Sequence, residues 1–456
     1  MLDYVDKMIL APMVRIGTLP MRLLALRYGA DIVYCEELVD VKLLRSKRIE
    51  NNLLGTVDYV DMTDGTVVFR TCAEEAGKVV LQIGTCCADR AAKIVDKFQG
   101  DVAGFDVNMG CPKEFSLKGG MGAALLDHPD KIQAILSNMI RHSKIPVTCK
   151  IRVKPCLEET KKLVKLISAT GVAAIGVHGR TKDERPKHEN RNDYIAALTE
   201  VSHVPLIANG GSKEIASFED ILKFKASTKA ASVMIARAAE WNCSVFRREG
   251  MLSVDQVIRD YLMLCVDFDN QSNNSKYAVQ NMLGNMQHTS VEGVATLKAQ
   301  TLEELCSIWK LEEYFKSVHD DRMLDAIKLG PGPETDLIWS VTEPCRKKLR
   351  LDETNDKTTV DDVVEMPVTF VRRHYADENL PRTLLFTLAR TERKPPPKFE
   401  TKQLERLFKS VLSFDGKKWT SHPGEKSRRY AEQAASLVYL KMRGMEPETR
   451  VIRQAS

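Results

Sequence analysis

The stretch Val102-Ala103-Gly104-Phe105-Asp106-Val107-Asn108-Met109-Gly110-Cys111-Pro112, followed by Lys118-Gly119-Gly120-Met121-Gly122, reads as a buried strand that stops abruptly in a glycine-rich loop. A cysteine held between glycine and proline at a strand's end sits on a fixed, exposed turn, where loops carry chemistry. The competing reading is a packed thiol, since free cysteine is among the most buried residue types. What the rest of the chain builds around Cys111 decides between them.

Seven more runs of the same kind occupy the first part of the chain, at residues 8–13, 31–38, 79–84, 147–153, 173–180, 204–211 and 231–237. Each is nearly continuous in Val, Ile and Ala, as expected of parallel strands buried on both faces. Amphipathic stretches such as 129–140, 157–167 and 215–224 lie between them. Eight β-α units in about 240 residues predict an α/β fold, a TIM (β/α)8 barrel. A doubly wound open sheet would instead need Gly-x-Gly-x-x-Gly after its first strand. The first turn here is Ala11-Pro12-Met13-Val14.

A barrel builds its active site at the C-terminal ends of its strands. Those ends read Pro12-Met13, Glu36-Glu37, Gln82, Asn108 with Cys111, Lys150 with Arg152, His178-Gly179-Arg180, Asn209-Gly210-Gly211 and Ala236-Arg237. Any one of these has a structural explanation; their convergence on one face points to function. Glycine amides and an arginine after strands seven and eight suit a phosphate. Lys150 and His178 would place positive charge or a donor near an electron-accepting ring, as flavin enzymes do. The cofactor implied is a mononucleotide. No second nucleotide fold is visible, so a pyridine nucleotide would visit the same face.

The chain has 456 residues, 43% hydrophobic and 28% charged, enough for several domains. Residues 1–250 are assigned to the barrel and 251–343 to a small helical domain, with Val257, Tyr261, Leu264 and Phe268 on one face and Leu302, Leu305, Ile308 and Leu311 on another. Within it, Asn273-Asn274-Ser275-Lys276-Tyr277 reads as a loop and helix start that would touch a polyanion or simply face solvent. Residues 344–366 read as a linker, 367–446 as a helix–strands–helix domain and 447–456 as a tail. Residues 367–456 carry 19 Lys/Arg against 10 Asp/Glu, which leaves the first 366 residues slightly acidic. A basic appendage on such a body suits a polyanion partner, although a solvated basic surface reads the same way. Eleven cysteines without C-x-x-C pairs fit a reducing cytoplasm and argue against a structural metal site. No apolar run is long enough for a membrane span, and the first strand begins too early for a leader peptide.

As an ordered set, Ala11-Pro12-Met13, Asn108-Met109-Gly110-Cys111-Pro112, Lys150-Ile151-Arg152, His178-Gly179-Arg180 and Asn209-Gly210-Gly211 resemble the motifs of the flavin-dependent tRNA-dihydrouridine synthases over about the first 340 residues. The C-terminal segment resembles a double-stranded-RNA-binding domain, an α+β fold of order α-β-β-β-α. That layout resembles the eukaryotic members that reduce the uridine at position twenty of the tRNA D-loop.

The resemblance implies FMN, reduced by NADPH (or NADH), a hydride delivered to uracil C6, and a proton from Cys111 to C5. It assigns Pro12, Met13, Gln82, Lys150, His178, Asn209, Gly210, Gly211, Ala236 and Arg237 to FMN, and adds Glu37 as an acidic residue near flavin and substrate. Asn108, Arg152 and Arg180 are expected on the substrate, with residues 118–122 a mobile segment over the flipped base. Arg372, Arg373, Lys426, Arg428 and Arg429 are expected on RNA. Two departures from the family pattern stand out: Gly211 replaces an Asp or Asn, and Glu432 a lysine. The partner is tRNA, with other double-stranded RNA as a second ligand class; no metal is implied, and the chain is expected to be a cytoplasmic monomer. Two other readings fit parts of the sequence: a flavin barrel acting on a free pyrimidine or enone, and a non-catalytic RNA-binding regulator.

Overall fold

The structure is a computed structural model describing residues 2–61, 66–185, 187–329, 363–366, 368, 370, 375, 379–392, 394–404, 407–422, 424–425 and 427–445. Along the first unit the strands are β1 (Met8–Leu10), β2 (Ile32–Tyr34), β3 (Leu38–Val39), β4 (Ser46–Asn51), β5 (Thr56–Asp61), β6 (Val67–Cys72), β7 (Val79–Gly84), β8 (Gly104–Met109), β9 (Val147–Arg152), β10 (Ala174–His178), β11 (Leu206–Asn209) and β12 (Ser232–Ile235). Eight of them, β1, β2 and β7 to β12, close a parallel ring in which β12 pairs with β1 and β2 with β7. They fall within the eight apolar runs of the sequence, and β2, β7, β11 and β12 are buried at every residue.

Two cores result. Ile9, Ile32, Tyr34, Val80, Ala174, Ile207 and Met234 fill the inside of the ring. Outside it, helices close the second: Ala88–Phe98 buries Ala91, Ile94, Val95 and Phe98, and Leu157–Ser168 buries Leu163, Val164 and Ile167 at helical spacing. The segment read as a small helical domain packs on the barrel and continues that second core. Val257, Tyr261, Leu264, Leu302, Leu305 and Leu311 all belong to it, within a compact unit that spans Met1–Leu349. Residues 273–277 lie inside the helix Ser272–Leu283, where Ser275 is buried and Lys276 Nζ donates to the carbonyls of Leu297 and Ala299.

The antiparallel sheet β4-β5-β6 is an addition that the apolar runs did not announce. Its strands carry Lys47, Arg48, Glu50, Asp58 and Arg70, which break the buried-strand pattern. Tyr59 stacks on Phe98 at 3.9 Å between ring centroids, and buried Asp58 takes both ends of the Arg70 guanidinium.

The second unit spans Arg350–Ser456. It holds β13 (Val363–Met366), β14 (Lys398–Leu404), β15 (Leu407–Phe414) and β16 (Lys417–Ser421), with helices Pro381–Thr391 and Arg428–Met442. The α-β-β-β-α order is as expected. Asp415 and Gly416 both take positive φ, 57° and 77°, as a two-residue hairpin turn requires. β13 corrects the linker assignment for residues 363–366, because it pairs in parallel with β16 and sets Val364 and Met366 against the Leu385, Leu412, Trp419 and Val438 core. Four residues preceded by Asp361-Asp362 and interrupted by Glu365 are too short to read as a strand. Among the described residues, no helix is long and apolar enough to cross a membrane, and no cluster of His, Cys, Asp and Glu could hold a metal ion.

Candidate active site

Side chains alternate along a strand, so a parallel register lines up every second residue on the inner face of the barrel. The Cα pairs Gln82–Asp106, Asn108–Lys150, His178–Arg152 and His178–Asn209 bring the polar strand ends into one ring. They surround a cavity of about 260 Å³ at the C-terminal mouth. Pro12, Met13, Glu37, Gln82, Asn108, Cys111, Lys150, Arg152, His178, Arg180, Asn209, Gly210, Gly211, Ala236 and Arg237 all line it.

The Cys111 turn is held by a chain of hydrogen bonds rising from the barrel floor. Thr148 Oγ1 donates to Asp106 at 2.7 Å, and Gln82 Nε2 donates to the same carboxylate at 2.8 Å. Gln82 Oε1 then accepts from Asn108 Nδ2 at 3.1 Å. Asn108 Oδ1 in turn accepts the backbone N–H groups of Gly110 and Cys111, at 3.0 and 2.9 Å. From the far side, Ala123 N donates to Cys111 O at 2.9 Å. Gly122 has φ +58°, and a Cβ there would meet Cys111 O at 2.6 Å, so only glycine fits this crossing. Residues 118–122 thus form a bonded turn bracing the cysteine.

Arg152 and Arg180, expected on the substrate, line the cavity while also holding its backbone. Arg152 donates to Gly110 O at 2.8 Å and Thr181 O at 2.9 Å. Arg180 donates to His188 O and Gly210 O, both at 2.8 Å, and faces His178 Nε2 at 3.1 Å. A guanidinium has only donors, so His178 Nε2 accepts and the ring proton sits on Nδ1. Burial, then the charges of Lys150, Arg152 and Arg180, keep His178 neutral by pulling it well below its ordinary range.

Burial raises Asp106 to about 6, opposed by the Gln82 and Thr148 bonds, and lowers Lys150 to about 8 with help from Arg152. Gly176 makes room for Lys150, since a Cβ there would press on its Cγ at 3.1 Å. Lys150, Arg152, Arg180 and Arg237 make the wall cationic, with the Glu37 and Glu240 carboxyls lifted by burial. The loop after β11 is tight: Gly210 has φ +119°, and a Cβ there would fall on Asn190 Oδ1. Asn209 Nδ2 donates to Met234 O at 2.7 Å, tying that loop to β12. Arg237 makes one long contact, 3.5 Å to Ser212 Oγ.

Flavin mononucleotide fits this donor set. Gly210, Gly211 and Arg237 would hold the phosphate, while Lys150 and His178 would supply polar contacts to the ring.

Sequence reading missed Ser212, Glu240, Asp106 and Thr148 as parts of the site, and Ser116 and Asn190 beside it. Asp106 and Thr148 carried a signal, because both are polar at inward positions of otherwise apolar strands. In the second unit Arg428 and Arg429 are exposed at the start of a helix that Ser427 caps, accepting from Tyr430 N at 3.3 Å. Glu432 lies 3.5 Å from Arg382 on the first helix. Arg372, Arg373 and Lys426 lie outside the described residues.

Comparison with known proteins bears on both units. The sequence profile described as "Dihydrouridine synthase (Dus)" matches residues 9–321. A tRNA-dihydrouridine(20) synthase (NAD(P)+) of Schizosaccharomyces pombe is 38% identical over 322 residues, covering 68% of this chain and 66% of the relative. The Saccharomyces cerevisiae protein of the same name is 37% identical over 302 residues, covering 62% and 78%. The second unit is similar to a solved tRNA-dihydrouridine(20) synthase dsRBD domain, at 35% identity over 19% of this chain and 95% of that one, with a TM-score of 0.19. Since the profile runs through the whole barrel and on into the helical region, the chain belongs to the dihydrouridine synthase family.

Proposed function

We propose that this chain is an NAD(P)H-dependent tRNA-dihydrouridine synthase that uses FMN to reduce the uridine at position 20 of the D-loop in cytoplasmic tRNA. The observation that carries the reading is Cys111, set on a braced turn at the mouth of a cationic cavity. When bound, FMN supplies the reducing equivalent for uracil C6; the chain's own residues do the rest. Lys150, His178, Gly210, Gly211 and Arg237 hold and orient the cofactor. Cys111, raised by burial above its ordinary range, stays protonated at neutral pH and gives its proton to C5. The base must leave its stack to reach this depth. A base-sized pocket cannot choose a tRNA, so the basic second unit contributes by reading A-form shape through phosphates and 2′-hydroxyls.

The test is to incubate unmodified tRNA with the protein and NADPH or NADH, then map dihydrouridine by mass spectrometry. Product at position 20 is expected. Cys111→Ala should retain the flavin absorbance near ~450 nm and lose about 100-fold or more in rate. Product formation at the wild-type rate by the variant would remove the acid assignment.

A further inference from the structure

Glu37 lies between β2 and β3, folded over Gly84, where a Cβ would come within 2.7 Å of its Oε1. Both carboxylate oxygens are buried, and neither has a hydrogen-bond partner of normal geometry. The polar groups facing them are the Cys111 thiol and the Ser116 hydroxyl. Ser116 is fully buried, and its hydroxyl also lacks a partner of normal geometry. The turn holds Ser116 beside the cysteine: a Cβ on Gly122 would lie 3.1 Å from Cys111 Cβ and from Ser116 Cβ alike. The other charges facing this group are Lys150 and Arg152 from β9, and Lys113 from the cysteine's own loop. A carboxyl, a thiol and a hydroxyl therefore meet at the edge of the cavity, with the carboxyl and hydroxyl oxygens buried and without a partner of normal geometry. Such groups are costly to bury unless they have a task.

We infer that Glu37 re-protonates Cys111 between turnovers, with the Ser116 hydroxyl steadying the carboxyl. The inference rests on the reading of Cys111 as the acid. As C5–H forms, the S–H bond breaks and leaves a thiolate. The Glu37 O–H bond then breaks, S–H re-forms, and the negative charge passes to the carboxylate. Water at the open mouth returns a proton to that carboxylate once product leaves. The net donor of the C5 proton is solvent. The transfer runs downhill, because a carboxyl remains a stronger acid than a thiol even when burial raises both. Glu37 touches no reacting carbon in this scheme and acts through Cys111, so it is a positioning and relay residue, besides any contact it makes with the flavin.

Two measurements on the full-length protein test this. The first follows iodoacetamide alkylation of the Cys111 peptide by mass spectrometry between pH 6 and 10. At the alkaline end of this range Glu37 is ionised and its charge opposes thiolate formation, so Glu37→Gln should move the profile to lower pH, with about threefold faster alkylation at pH 8. Glu37→Asp should keep the wild-type profile. The second mixes pre-reduced enzyme with tRNA. In Glu37→Gln steady-state turnover should fall about fivefold or more further than the first turnover does, and should be partly restored by a small buffer acid such as imidazolium. An unchanged alkylation profile, or a first turnover slowed as much as the steady state, overturns the inference. If Glu37→Gln purifies without flavin, the alkylation comparison is made on both cofactor-free proteins, where the same shift is expected. Full activity in Cys111→Ala would sink the acid reading itself, whereas the alkylation shift reports the Glu37–Cys111 coupling independently.

Discussion

Lys150 carries its ammonium into a half-buried position beside Arg152, and its proton is correspondingly loose, leaving at about pH 8 rather than 10.5. The sign of the consequence differs between stability and binding. Between pH 8 and 10.5 the unfolded chain binds more protons than the folded one, so this group makes the ligand-free protein more stable as pH rises through that window. Binding of an anionic or electron-rich ligand moves the other way, because the charge that attracts it disappears above pH 8. FMN affinity followed by flavin fluorescence should weaken about tenfold between pH 7 and 9.5, and Lys150→Gln should be weaker at pH 7 and nearly flat with pH. A second residue-scale case is structural. Arg22 and Glu75 are both fully buried, joined by bonds of 2.6 and 2.8 Å, with Arg22 also donating to Gly17 O below the Pro12-Met13 loop. Leaving that guanidinium unpaired in Glu75→Gln should cost about 3–5 kcal/mol in urea unfolding.

At the scale of elements, the barrel was legible because its strands are buried on both faces and so read as nearly unbroken apolar runs, most of them with an ionisable or glycine residue at or near the end. The same rule hid β4 to β6, whose charged residues meet partners such as Asp58–Arg70 that only the folded chain brings together. The site's position followed the barrel: of the strand-end residues, all but Glu36 and Gly179 line one cavity. What the sequence could not show is how those residues are divided, with Arg152 and Arg180 engaged on carbonyls and Asp106 beneath Gln82, since hydrogen-bond partners across strands have no sequence spacing. The β11 loop tests the reading of glycine at a close approach. Gly210→Ala forces a left-handed φ on alanine and a clash with Asn190, so the variant should purify with little bound flavin while keeping the wild-type circular dichroism. β13 gives a second test. The isolated second unit starting at residue 367 loses four paired residues and the acceptor for His422 N, and should melt at least about 4–8 °C lower than one starting at residue 350.

The whole molecule separates two tasks that the charge distribution already divides: basic and acidic residues balance over residues 1–349, whereas in residues 367–456 basic residues outnumber acidic ones by 19 to 10. A body without net charge gives a polyanion no long-range attraction, and the cationic wall of its cavity is too small to grip more than a nucleotide. Affinity for tRNA must then come largely from the second unit, through phosphate contacts that release counterions. A protein ending at residue 349 should keep its flavin and its oxidation of NAD(P)H, while tRNA binding weakens. The slope of log K against log salt should also flatten by roughly one unit for each phosphate contact removed. With saturating tRNA its kcat should stay within about threefold of wild type, the loss falling on KM, because the groups proposed to meet uracil are all in the barrel. An unchanged salt slope would return tRNA recognition to the barrel and leave the basic appendage without a part in this reaction.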